Sequence, residues 1–116
     1  MTVKDIAQVC YEVNRAYRES LGDTSQEKWE DAPGWLRESA NNGVQAHLSG
    51  EGLTPKQSHD AWLKGKIDDG WSYGPIKGAE FKRHPYCVPY SKLPVEKRSK
   101  DHIFGAIVEA LRKHVR

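Results

Sequence analysis

The chain has 116 residues, 29% of them charged, and a formal net charge of +2. That length supports one domain, residues 1–116, around one modest core, and the charge is too small to indicate nucleic acid as a partner. No apolar run approaches the roughly 18 residues of a membrane span, and Met1-Thr2-Val3-Lys4-Asp5 lacks the apolar segment of an export signal.

Ile6, Val9, Cys10, Val13, Tyr17 and Leu21 recur at helical steps, predicting an amphipathic helix over Val3–Leu21. Thr2 and Asp5 form a capping-box pattern at its start, and Gly22 is placed to end it. Cys10 lies on the apolar stripe, so a core thiol is expected. Cys10 and Cys87 have no partner motif, and without an export signal both are expected as reduced thiols in the cytoplasm. Asp31 and Pro33 suit a helix first turn. Trp35, Leu36, Ser39, Ala40, Val44, His47 and Leu48 then give a second amphipathic face, ending near Leu48.

Thr54-Pro55-Lys56-Gln57 is a strong helix start. The third helix carries Ala61, Trp62, Leu63 and Ile67 and stops at Gly70. Trp71–Tyr73 and Tyr86–Pro89 read as two small strands, a hairpin punctuated by Gly and Pro. Leu93–Glu96 suits a single helical turn, and Ile103, Phe104, Ile107, Val108 and Leu111 mark a last helix over about Ser99–His114. The expected fold is mainly α (α+β): a compact four-helix domain with a short two-stranded β element between helices 3 and 4.

The chemistry concentrates between Ser58 and Tyr90. Trp62 and Trp71 serve either as core anchors or as platforms for a flat ligand, on which aromatic stacking contributes roughly 1–3 kcal/mol per base. Lys66, Lys77, Lys82, Arg83 and His84 are either a solvated basic loop or the cationic half of such a site, able to hold phosphates. Tyr73 and Tyr90 add hydroxyls and ring faces. His59 beside Asp60 is not a catalytic pair, because adjacent helical residues do not face each other; a cap or packing role suits it. Trp29, Trp35 and Arg37 form a second aromatic–cation group, explained by packing on the second helix or by ligand contact. His84 and Cys87 lack the spacing of a four-ligand zinc site, and no nucleophile has an oriented base. No metal, cofactor or catalytic residue is expected. The basic C-terminus, from Arg112 to Arg116, suits the negative end of a helix dipole without nucleic acid.

Several blocks together resemble the RyR domain, the repeat of ryanodine receptors that also occurs as a small stand-alone protein in bacteria and phages. They are I-A-Q-V-C-Y-E-V-N-R-A-Y, W-E-D-A-P-G-W-L-R-E-S-A-N-N-G-V, S-H-D-A-W-L-K-G-K, D-D-G-W-S-Y-G-P, H-P-Y-C-V-P-Y and L-P-V-E-K-R-S-K-D, between about Ile6 and Leu111. The resemblance implies a small, mostly helical domain with a short β element. It also implies adenine-nucleotide binding between aromatic residues, which in the receptors belongs to a paired form of the domain. Because this chain is one repeat, a two-copy site would require a homodimer. The expected function is a non-enzymatic binding module for a nucleotide-like small molecule (an adenine nucleotide or an ADP-ribose-type ligand). The alternative is protein–protein interaction or homodimerisation through the same aromatic and basic surface. A membrane partner is not expected.

Overall fold

The computed structural model describes residues 1–50, 54–78 and 80–116. The first helix, α1 (Val3–Ser20), starts on the predicted box: Thr2 Oγ1 accepts from Asp5 N–H, and Asp5 accepts from Thr2 N–H. It ends where Gly22, at φ +88°, lets the chain reverse. Gly22 N–H donates to Glu19 O and Asp23 N–H to Arg18 O, each at 2.9 Å, which satisfies carbonyls the helix end leaves open. Next come α2 (Gly34–Ser49), α3 (Pro55–Asp68), β1 (Ser72–Tyr73), β2 (Arg83–His84) and α4 (Val95–Leu111). Short 3-10 turns occupy Trp29–Asp31, Tyr90–Lys92 and Arg112–His114. The architecture is thus mainly α, with four α-helices among the described residues and a two-stranded element between α3 and α4.

The chain packs as two units, Met1–Gly52 with Lys100–Arg116, and Leu53–Ser99. In the first, Ile6, Ala7, Cys10, Tyr11, Trp29, Ala32, Val44 and Val108 form the core. The buried side of α1 is therefore Ile6, Ala7, Cys10 and Tyr11, whereas Val13 and Leu21 of the predicted stripe are exposed. The cause is the returning segment. Tyr11 Oη donates to Glu27 O at 2.7 Å, Gln26 Nε2 donates to Tyr11 O at 2.9 Å, and Trp29 meets the edge of Tyr11. The segment runs along the side of α1 that carries Tyr11, Asn14 and Arg18, and Val13 and Leu21 stay exposed. Burial pushes the Cys10 thiol up to about 11, in keeping with a core thiol.

Pro33 is the N-cap of α2, just before the first turn and not within it. Leu36, Ala40, Val44, His47 and Leu48 make its inner face. Trp35 lies one residue, or about 100°, off that face and is 71% exposed. This corrects its place in the predicted stripe. Arg112 donates to Leu48 O at 2.9 Å and His47 O at 3.1 Å, so it serves the C-terminal carbonyls of α2 as well as its own helix.

In the second unit, Thr54 and Gln57 form the predicted capping box of α3, with Pro55 in its first turn. The inner residue of α3 is His59, which is buried, whereas Ala61 and Ile67 are exposed. The strands pair in parallel, Ser72 with Arg83 and Tyr73 with His84, so the hairpin expectation is corrected. Ser72 N–H donates to Lys82 O and Gly74 N–H to His84 O. On its other side, Arg83 exchanges both backbone bonds with Gly78, at 3.0 Å each. Tyr86–Pro89 is not a strand, since Pro85 and Pro89 bring no N–H to a ladder. It turns instead, with Cys87 N–H on His84 O at 3.2 Å. Gly74 is buried, and a Cβ there would come within 2.7 Å of Arg83 Cβ; the close approach of β1 and β2 requires glycine. The predicted turn at Leu93–Glu96 is the start of α4, where Lys97 and Arg98 N–H groups both donate to Pro94 O at 3.1 Å. That helix begins at Val95, not Ser99.

Candidate functional site

The end of α3 builds the site. Asp69 is its C-cap and Gly70 follows at φ +88°. Gly70 N–H donates to Ile67 O at 3.0 Å and Trp71 N–H to Lys66 O at 2.8 Å, the bonding of a Schellman closure. This closure folds Trp71 back beside Lys66. The Lys66 ammonium lies 4.4 Å from the centroid of the Trp71 ring and 5.8 Å from that of Trp62. His59, Trp62 and Lys66 stand at steps of three and four on α3, so they share one helical face.

β2 delivers His84 to that face. Its ring centroid is 5.1 Å from Trp62, 6.3 Å from Trp71 and 5.3 Å from Tyr86. Behind it, His59 stacks on Trp62 at 5.5 Å and lies 6.1 Å from Tyr90. His59 Nε2 is 2.7 Å from Val88 O. A carbonyl only accepts, so Nε2 carries the proton. The Lys97 ammonium lies 5.7 Å from the Tyr86 ring.

Burial holds the His84 imidazole below its ordinary proton affinity, and the charges of Lys77, Lys66 and Lys97 push the same way. An unfolded histidine titrates near pH 6.5. Below that value the unfolded chain binds the proton that the folded ring resists, so stability is held above about pH 6.5 and is lost as pH falls. The unfolding midpoint should drop more between pH 7.5 and 5.5 (roughly the histidine range) for the wild type than for His84→Gln. Equal drops in urea titrations at the two pH values would contradict this.

The remaining expected residues divide. Tyr73 and Lys77 are exposed on the segment after β1. Lys82 donates to Asp69 O at 2.6 Å, and Trp71 Nε1 donates to Asp69 Oδ2 at 3.2 Å. Arg83 donates to Ser72 Oγ and lays its stem over Gly74. Lys82 and Arg83 thus tie the β element together. Trp29 is 5% exposed and fills the core of the other unit, so its ring has no open face for a ligand. Arg37 donates to Trp29 O at 3.3 Å, which explains Trp29 and Arg37 by packing. Trp35 stands apart from the core on the outer side of α2.

Tyr86 and Lys97 belong to the cluster, and sequence reasoning missed them. Tyr86 had a signal, lying two residues after His84 inside H-P-Y-C-V-P-Y. Lys97 had none, because its ring contact depends on where α4 begins. A shallow groove of about 650 Å³ lies elsewhere, lined by Val3, Asn42, Gln45, Ala46, Leu48 and Ser49; no ring or cation lines it. Among the described residues, no three His, Cys, Asp or Glu side chains are grouped to hold a metal ion. No helix among them is long and apolar enough to cross a membrane.

These features define a mainly helical domain in which rings and lysines gather on a capped helix end and a short parallel β pair. The family model of the RyR domain matches residues 51–113, more than half of the chain. The chain belongs to the RyR domain family. The whole cluster, from His59 to Lys97, falls inside the matched stretch, whereas the blocks on α1 and α2 lie outside it.

Proposed function

We propose that this chain is a non-enzymatic binding module that acts in the cytoplasm and holds a nucleotide-like small molecule, an adenine nucleotide or an ADP-ribose-type ligand. One observation carries the reading: three rings, Trp62, Trp71 and Tyr86, gather on His84, and two of them carry a lysine ammonium, Lys66 beside Trp71 and Lys97 beside Tyr86. A base stacks on the Trp71 face in place of the Lys66 ammonium, which swings on its flexible stem to a phosphate. The exchange is favourable, because a partly exposed cation–π contact contributes about 0.5–1 kcal/mol and base stacking about 1–3 kcal/mol. The pairing of rings with adenine implied by the family resemblance points the same way.

ATP and ADP-ribose should quench tryptophan fluorescence saturably and raise the melting midpoint. Trp71→Ala should weaken binding about 5- to 150-fold while the far-ultraviolet circular dichroism stays unchanged. An unaltered affinity in that variant would remove the stacking role.

A second reading has its own support. Tyr73, Ile76 and Phe81 are exposed around the β element, Ile76 at 80% and Phe81 at 74%. Large exposed apolar groups mark interaction surfaces, which favours a protein-interaction or homodimerisation module. Absence of any nucleotide response, together with a concentration-dependent mass in light scattering, would favour this reading over the first.

A further inference from the structure

His84 is the one ring in the cluster that meets Trp62, Trp71 and Tyr86 alike. Its Nδ1 accepts the backbone N–H of Tyr86 at 3.0 Å. A nitrogen that accepts carries no proton, so the ring's proton sits on Nε2. That N–H has no protein acceptor among the described residues. The charged groups that set its field are Lys66 from α3, Lys77 from the segment after β1, and Lys97 from the first turns of α4. All three are cations and offer donors only. The neighbouring carboxylate, Asp69, is engaged by Trp71 Nε1 and Lys82. A polar N–H on a ring packed against Trp62, Trp71 and Tyr86, in the positive field of these lysines, is suited to an anionic oxygen.

We propose that His84 is the neutral hydrogen-bond donor of this site, and that its Nε2–H takes an oxygen of a phosphate or pyrophosphate group. The inference rests on the nucleotide reading and adds the group that recognises the anion. The Tyr86 N–H holds the ring in one tautomer. Protonating Nδ1 would set two donors against each other, so the ring does not become a fourth cation when the ligand arrives. The lysines supply the charge, and His84 supplies direction. Binding therefore takes up no proton at this residue, and from about pH 6.5 to 8 affinity follows the ligand's own ionisation and not that of a histidine.

The test uses the full chain with 15N-labelled histidine and inorganic pyrophosphate as the probe. Long-range 1H–15N correlation should show His84 protonated at Nε2 and bare at Nδ1, both alone and saturated. In parallel, ATP affinity is measured for two variants whose melting midpoints confirm folding. His84→Gln keeps a neutral N–H near the position of Nε2 and should bind within about threefold of wild type; His84→Phe keeps the ring but has no donor and should lose about tenfold or more. An imidazolium signal on adding pyrophosphate, or equal losses in the two variants, overturns the assignment while the nucleotide reading stands. If neither ATP nor pyrophosphate binds the wild type, the nucleotide reading fails and the assignment falls with it.

Discussion

Trp29→Ala should lower the unfolding free energy by about 3–5 kcal/mol, the range for truncating a buried indole. Trp29 sits with Ile6, Ala7, Cys10, Tyr11, Val44 and Val108 in the core of its unit. Its ring meets Tyr11 edge-on, with centroids 5.3 Å apart and planes at 71°. Such pairs add about 0.5–1.5 kcal/mol beyond the area they bury. The backbone contacts of the residue survive the change, since its N–H donates to Glu12 Oε1 at 3.0 Å and its carbonyl accepts from Arg37. The loss is therefore one of packing. Against a typical domain stability of about 5–15 kcal/mol, it is a large share. Trp35→Ala is the internal control. That ring is exposed, and the substitution should stay within about 0.5 kcal/mol. Urea titrations followed by far-ultraviolet circular dichroism separate the two. A loss below about 1 kcal/mol at Trp29 would mean that the site collapses to fill the void.

Local chemistry made α1 and α3 legible. Thr2 with Asp5 and Thr54 with Pro55 and Gln57 act over three residues, and glycines at positions 22 and 70 take the positive φ that ends each helix. Three features were not legible in this way, two of them because they depend on residues far along the chain. The buried side of α1 depends on the return of Gln26–Trp29, some 15 residues on, and periodicity alone could not choose Ala7 and Tyr11 over Val13 and Leu21. The parallel pairing of Ser72 with Arg83 depends on the connection between the strands, where aromatic content misdirected the second strand to Tyr86–Pro89. The start of α4 at Val95 was obscured by the polar run Lys97–Lys100, which breaks the apolar period without breaking the helix.

The site was legible as a composition and not as a geometry. Trp62, Lys66, Trp71 and His84 were all identifiable, and they do meet. Lys82 and Arg83 look equivalent to Lys66 in sequence, yet they brace the β element. The Schellman closure decides the difference, because it returns Trp71 to Lys66 and leaves Lys82 against Asp69.

His59→Ala should cost about 2–4 kcal/mol, from an unpaired Val88 carbonyl and a lost stack on Trp62. His59 is 5% exposed, and its Nε2–H on Val88 O joins α3 to the segment that follows His84. Two substitutions divide the effect. His59→Phe restores ring volume against Trp62 but brings no donor, and it should still cost about 1–3 kcal/mol. Because His59 sits behind Trp62 and not against His84, the alanine variant should also broaden the tryptophan response to nucleotide, while the phenylalanine variant should preserve it. The readouts are the urea midpoint at constant m-value and the fluorescence titration. If His59→Phe matched the wild type in stability, the Val88 carbonyl would have another donor, and packing alone would hold the two segments together.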